Sequence, residues 1–283
     1  MWRDLLAQTL DDAEIVLFGI PYDENCSVGR GAALAPSVMR ELSESLPPFA
    51  VDKSKVPPIL FDLGDVSDYN YASVLEKMKL GADKKLTVML GGDHSVSILT
   101  ERAYREINSG RRAIIHIDAH ADICDFYDGS HFSHACVNMR ALENGFSPED
   151  ITMIGIRSYE EQEVEFLARE SVAVYSSDDV NANVDSMLDA VIEKYKDYDG
   201  VYLSFDIDGV DPAYAPATGT PEAFGMSSLT VLHILKRLIT SLPVDAMDLV
   251  EVAPPLDVNN VTAWLALKYL IEIFNLINRR QKQ

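Results

Sequence analysis

The chain has 283 residues, 47% of them apolar, and its 45 acidic against 24 basic side chains leave a formal net charge of −21. That length allows one large core, and the acidity disfavours nucleic acid as a partner while drawing small cations to the surface. Three cysteines (Cys26, Cys124 and Cys136) make an odd set with no close pair, which implies no disulfide framework and fits a reducing, cytoplasmic setting.

The N-terminal stretch MWRDLLAQTLDDAEIV lacks the basic start and long apolar core of a signal peptide. Eight short, β-rich apolar runs follow: EIVLFGI near 14–20, ILFDLG near 59–64, LTVMLG near 86–91, AIIHID near 113–118, ITMIGI near 151–156, VAVYSS near 172–177, VYLSFD near 201–206 and AMDLVEV near 246–252. Nearly unbroken apolar runs of this length are the mark of strands covered on both faces. Helical spacing fills the gaps, as in SVSILTERAYREIN, VDSMLDAVIEKYKD and SLTVLHILKRLITS. The alternation predicts an α/β fold, with a parallel sheet between helices. No linker, low-complexity tract or repeat divides the chain, so residues 1–283 read as a single domain. The apolar segment VTAWLALKYLIEIFNLIN carries Lys268 and Glu272, and it reads as a partly buried terminal helix with no membrane span expected.

Four polar groups each follow a strand directly. GGDHS places Asp93 and His94, DAHAD places Asp118, His120 and Asp122, SFDIDGVDP places Asp206, Asp208 and Asp211, and VEVAPPLD places Glu251. In a parallel sheet all four lie at one edge, where ligands bind. Side chains two apart on an extended chain point the same way, which lets Asp118, His120 and Asp122 converge, and Asp206 with Asp208. Two imidazoles and four carboxylates exceed what one catalytic ion needs and suit two ions sharing carboxylates. Oxygen-rich ligands with some imidazole suit Mn²⁺, and the lack of nearby thiolates argues against structural zinc. The order of motifs does not fit metallophosphoesterases, which place D-x-H before G-D and G-N-H. P-loop and G-x-S-x-G motifs are absent.

Other polar residues have quieter readings. His131 and His134 share one loop, and the residues alone do not choose between them for acid–base work. His116 reads as a satisfied core histidine, His233 as structural, and Cys124 and Cys136 as inert thiols. Asp93 reads as fixing His94 or its own turn, and Asp211 as a turn residue.

GGDHS, DAHAD and SFDIDGVDPAYAPATGTPE resemble the signature motifs of the ureohydrolases, the arginase/agmatinase superfamily, and the resemblance runs from GIPYD at 19 to VEVAPPLD at 250–257. It implies a three-layer α/β/α sandwich around an eight-stranded parallel sheet, in agreement with the eight runs counted above. It also implies two Mn²⁺ per chain: one held by His94, Asp118, Asp122 and Asp206, the other by His120, Asp118, Asp206 and Asp208. A hydroxide between the ions, oriented by Asp122, then attacks a guanidinium carbon to release urea and an amine. His134 matches the family's acid–base histidine, Glu251 the carboxylate that binds the guanidinium, and Thr220 a threonine beside it. The loop DICDFYDGSHFSHA resembles the agmatinase pattern, with Asp125, Tyr127, Asp128 and Glu160 available to a second cationic end. The expected partner is a small cationic guanidine, agmatine first, and the expected assembly is a homotrimer or homohexamer. The chain departs from the agmatinase pattern at Ala121 and at Ala223–Met226. Guanidinobutyrate, guanidinopropionate, arginine, free guanidine, formiminoglutamase chemistry and a non-catalytic metal-binding subunit are the alternatives.

Overall fold

A computed structural model describes residues 2–280. The eight apolar runs form β1 (Ile15–Gly19), β2 (Leu60–Asp65), β3 (Leu86–Leu90), β4 (Arg112–Ile117), β5 (Ile151–Ile156), β6 (Ala173–Ser176), β7 (Gly200–Asp206) and β8 (Val244–Val250). They make one parallel sheet in the order β2-β1-β3-β8-β7-β4-β5-β6. Strands β1, β3, β5 and β7 are buried throughout, whereas β2 and β6 are largely half-buried. The last two are the sheet's edges, which explains why their sequences are the most polar of the eight. Strand β8 begins at Val244, two residues before its expected start. Asp245 interrupts the apolar run there, and its carboxylate is held by Arg112 and Tyr104.

Among the described residues, eight α-helices cover the two faces. One layer holds α1 (Ala35–Ser43), α6 (Ser177–Tyr195), α7 (Ser228–Ser241) and α8 (Val261–Arg279); the other holds α2 (Tyr71–Gly81), α3 (Val96–Ile107) and α4 (Val137–Glu143), with the short α5 (Glu161–Leu167) beside it. The result is the expected α/β/α sandwich. Capping fixes several helix starts: the side chains of Asn70, Ser176 and Ser227 accept from the amides of Ser73, Asp179 and Thr230 at 3.0–3.1 Å. Helix α8 is long and apolar enough to cross a membrane by length and composition, yet 67% of its apolar window is buried, against α1, α7 and the sheet.

The four motif-bearing strands, β3, β8, β7 and β4, are consecutive neighbours at the centre of the sheet. Strand β8 alone joins the β2-β1-β3 side to the β7-β4-β5-β6 side. At the carboxyl end of β3 the chain turns through Gly91 and Gly92, and the loop at 21–31 lies directly on that turn. A Cβ at Gly92 would stand 1.7 Å from the Tyr22 carbonyl oxygen, and the Asp93 amide donates to that same oxygen at 2.9 Å. Gly92→Ala therefore forces backbone apart from backbone. It should cost about 2–3 kcal/mol, read as a lower urea midpoint with an unchanged slope; a wild-type midpoint would show that the loop yields freely.

Candidate active site

Three of the four motifs hold an aspartate that accepts from the amide two residues on. Asp118 Oδ1 accepts from the His120 amide at 2.7 Å, Asp206 Oδ1 from Asp208 at 2.7 Å, and Asp93 Oδ1 from Ser95 at 3.0 Å. These are Asx turns. They correct the expected geometry: β4 ends at Ile117, so Asp118, His120 and Asp122 converge through turns and not through strand alternation. Asp122 itself is left-handed (φ 48°), and α4 supports its turn, with Asn138 donating to the carbonyls of Asp122 and Ala121.

The side chains meet in two adjoining groups. His94 Nδ1 lies 3.0 Å from Asp118 Oδ2, 3.1 Å from Asp122 Oδ2 and 3.2 Å from Asp206 Oδ2. His120 Nδ1 lies 3.1 Å from Asp208 Oδ2 and 3.5 Å from Asp118 Oδ1. Asp118 thus belongs to both groups, as expected of a shared carboxylate. Asp206 joins the His94 group, while its other oxygen is taken by the Asp208 amide. His116 departs from the quiet reading. It is buried, but its Nε2 lies 3.1 Å from Asp118 Oδ2, its ring stacks on His94 at 5.0 Å, and its Nδ1 has no hydrogen-bond partner among the described residues.

The proton on His94 can be traced. Ser204 Oγ donates to Asp248, so it accepts from His94 Nε2, 2.8 Å away. Asp248 is buried on β8 and also accepts from Tyr202, Ser97 and the Phe205 amide. The carboxylates around Nδ1 favour a charged ring in the absence of another cation, and in the neutral ring His94 Nδ1 presents a lone pair to all three. Burial and the neighbouring Asp208 and Asp118 push the Asp206 carboxyl well up, and burial followed by Asp118 pushes Asp208 up to about 6. Among the described residues, His94 Nδ1, Asp118 Oδ2 and Asp208 Oδ2 are buried without a hydrogen-bond partner. Lone pairs crowded on lone pairs need positive charge between them, and the donor set of nitrogen and oxygen without sulfur fits divalent cations.

Beside this centre opens a cleft of about 220 Å³. The predicted His120, Asp122, Tyr127, His134, Glu160 and Thr220 all line it. Four lining residues, Asp122, Glu160, Glu163 and Glu222, are acidic, and none is lysine or arginine. Glu251 is only 2% exposed. Its Oε1 accepts from the His94 amide at 2.9 Å and faces His134 Nδ1 at 3.4 Å, which leaves Oε2 without a hydrogen bond among the described residues. Burial opposes charge on His134, but Glu251 more than offsets it and raises the imidazole above its ordinary value. His131 instead turns outward and bonds the Asp125 carbonyl at 2.7 Å.

Two acids expected in the pocket are elsewhere. Asp125 is exposed and paired with Arg140 at 2.7 Å, and neither it nor Asp128 lines the cleft. Their place is taken by Glu163 and Glu222, which sequence reasoning missed. Glu163 sits at the start of α5, where it accepts from the amides of Glu160 and Ile123, and burial pushes it up to about 7. The signal was present as E-x-x-E at a helix start, a capping pattern. Glu222 approaches His120 Nε2 at 3.9 Å. Arg157 ties down the loop that carries Glu222, donating to the carbonyls of Asp208, Glu222 and Ala223 at 2.7–3.0 Å. The remaining readings hold: Cys124 and Cys136 are buried, with burial pushing the Cys136 thiol up to about 11, and Asp211 closes a turn onto the Ala213 amide. His233 is a surface residue bonded to Asp185.

Known proteins resemble this chain along most of its length. Residues 13–275 match the arginase family. An agmatinase of Neisseria gonorrhoeae is 33% identical over 93% of this chain and 87% of its own length. A guanidinobutyrase of Pseudomonas aeruginosa is 30% identical over 93% and 86%. The crystal structure of the agmatine ureohydrolase of Thermoplasma volcanium superposes with a TM-score of 0.85 at 33% identity, covering 97% of this chain and 93% of that one. On the extent of these matches, the chain belongs to the arginase family.

Proposed function

We propose that this protein is a Mn²⁺-dependent amidinohydrolase that cleaves a guanidino compound, agmatine foremost, into urea and an amine. The observation that carries this reading is the conjunction of the lone-pair-crowded His94/Asp118/Asp122/Asp206 and His120/Asp118/Asp208 groups with a cleft lined by carboxylates alone among charged side chains other than histidine. His94, Asp118, His120, Asp122, Asp206 and Asp208 would hold two divalent cations, which supply Lewis acidity and lower the pKa of a water.

The chain's own groups do the rest. The free Oε2 of Glu251 suits a planar guanidinium, which a carboxylate binds through charge-assisted hydrogen bonds. Thr220 and Tyr127 border the guanidine, and Glu160, Glu163 and Glu222 favour a cationic tail. The leaving nitrogen must gain a proton, and His134, whose charged form Glu251 favours, would give it. An acidic cleft penalises the carboxylate tail of guanidinobutyrate or arginine, so agmatine is preferred over both. Assembly as a trimer or hexamer is part of the proposal.

Three outcomes test it. Urea release should be fastest with agmatine among agmatine, arginine, guanidinobutyrate, guanidinopropionate and guanidine, should stop on chelation, and should return with Mn²⁺. Formamide from formiminoglutamate, or chelation-resistant turnover, would sink the reading. Glu251→Gln should lower kcat/KM at least about a hundredfold, the worth of a charge-assisted bond, with metal content unchanged; near-normal turnover would remove the guanidinium role. Because burial pushes Glu163 up to about 7, the cleft gains negative charge as pH rises through that value. KM for agmatine should therefore fall about fivefold from pH 6 to pH 8, and Glu163→Gln should flatten that dependence.

A further inference from the structure

We propose that Ser27 is a positioning residue for His134, whose hydroxyl matches either protonation state of the imidazole and so sets the pH range over which His134 gives up its proton. The inference rests on the reading of His134 as the acid. The ring is held at both nitrogens. Nδ1 faces Glu251 Oε1 at 3.4 Å, while Nε2 lies 3.0 Å from Ser27 Oγ and accepts from the Ser27 amide at 3.3 Å. Ser27 and His134 both line the cleft.

The loop that supplies Ser27 is itself fixed to the metal-site turn. The Asn25 amide donates to buried Asp93 at 2.9 Å, the Asn25 side chain donates to Ser95 at 3.1 Å, and the Asn25 carbonyl accepts from the His134 amide at 3.3 Å. Asp23 pins the loop's far side by accepting from the amides of Gly31 and Ala33. Asp93 thus acts on the loop as well as on its own turn.

The two Ser27 groups are not equivalent. A backbone N–H only donates, so it favours the neutral ring, with its lone pair at Nε2. A hydroxyl donates to that lone pair or accepts from Nε2–H, and so serves the imidazolium too. Without the hydroxyl, the charged ring would set an N–H against an N–H. The charged groups that face His134 are Glu251 after β8, Asp122 after β4 and Asp93 after β3, with the Tyr127 ring edge-on at 6.5 Å. None of them changes when the Ser27 hydroxyl is removed, which isolates its effect.

The test is the pH profile of agmatine turnover by the Mn²⁺-loaded enzyme. Ser27→Ala should move the alkaline limb of kcat down by about one pH unit, the worth of a hydrogen bond to a charged group, with KM and metal content unchanged. Ser27→Thr should restore the limb. Ser27→Ala should add nothing in a His134→Ala background. An unshifted limb in Ser27→Ala with His134→Ala inactive would overturn the inference and spare the reading of His134. Full turnover by His134→Ala would overturn both.

Discussion

Everything at the carboxyl edge of the sheet depends on one electrostatic constraint: an imidazole nitrogen and three carboxylates converge on one buried space that needs positive charge within it. His94 is committed at Nε2 to Ser204, and through it to Asp248, so in the neutral ring the nitrogen facing Asp118, Asp122 and Asp206 is bare. Uncompensated charge in a buried site costs several kcal/mol. The fold tolerates the arrangement because the polar groups behind it are satisfied. Asp248 alone takes hydrogen bonds from three side chains and one amide, and the Asx turns consume the inner oxygens of Asp118 and Asp206. The orphaned atoms around His94 point to where a cation belongs.

The same logic extends outward into the cleft. Glu163 is held by two amides at a helix start, Glu222 is held by a loop that Arg157 anchors through three carbonyls, and Glu251 is fixed by the His94 amide. Acidic groups that would repel one another in free solution are kept close by backbone donors. A cationic ligand then meets a field already in place and does not have to assemble it.

Much of this is legible in the residues. Strands buried on both faces read as continuous apolar runs, and polar residues stepping out of such runs mark the functional edge, which is what singles out His94, Asp118, His120, Asp122, Asp206 and Asp208. The spacing brings these residues together for a different reason than strand alternation, since D-x-H and D-x-D are turns in which each aspartate bonds two residues ahead. Asp125 and Asp128 mislead because an acid in a loop beside a site carries no label for its partner, and Arg140 fifteen residues on neutralises the first. Ser27 escapes notice because its contact with His134 spans 107 residues. The satisfied core role expected of His116 fails because parity along a strand does not report whether Nδ1 finds a partner.

The place of β8 has a consequence for how the protein comes into being. Its strand is the last of the eight in the chain, and within the sheet it is the only connection between the half that bears His94 and the half that bears Asp118 and Asp206. As the chain leaves the ribosome, earlier strands can pair only into two separate fragments. Neither fragment holds all six candidate ligands, since His94 follows β3 and the other five follow β4 and β7. The six come together only where β8, the strand that also brings Glu251, lies between the two halves.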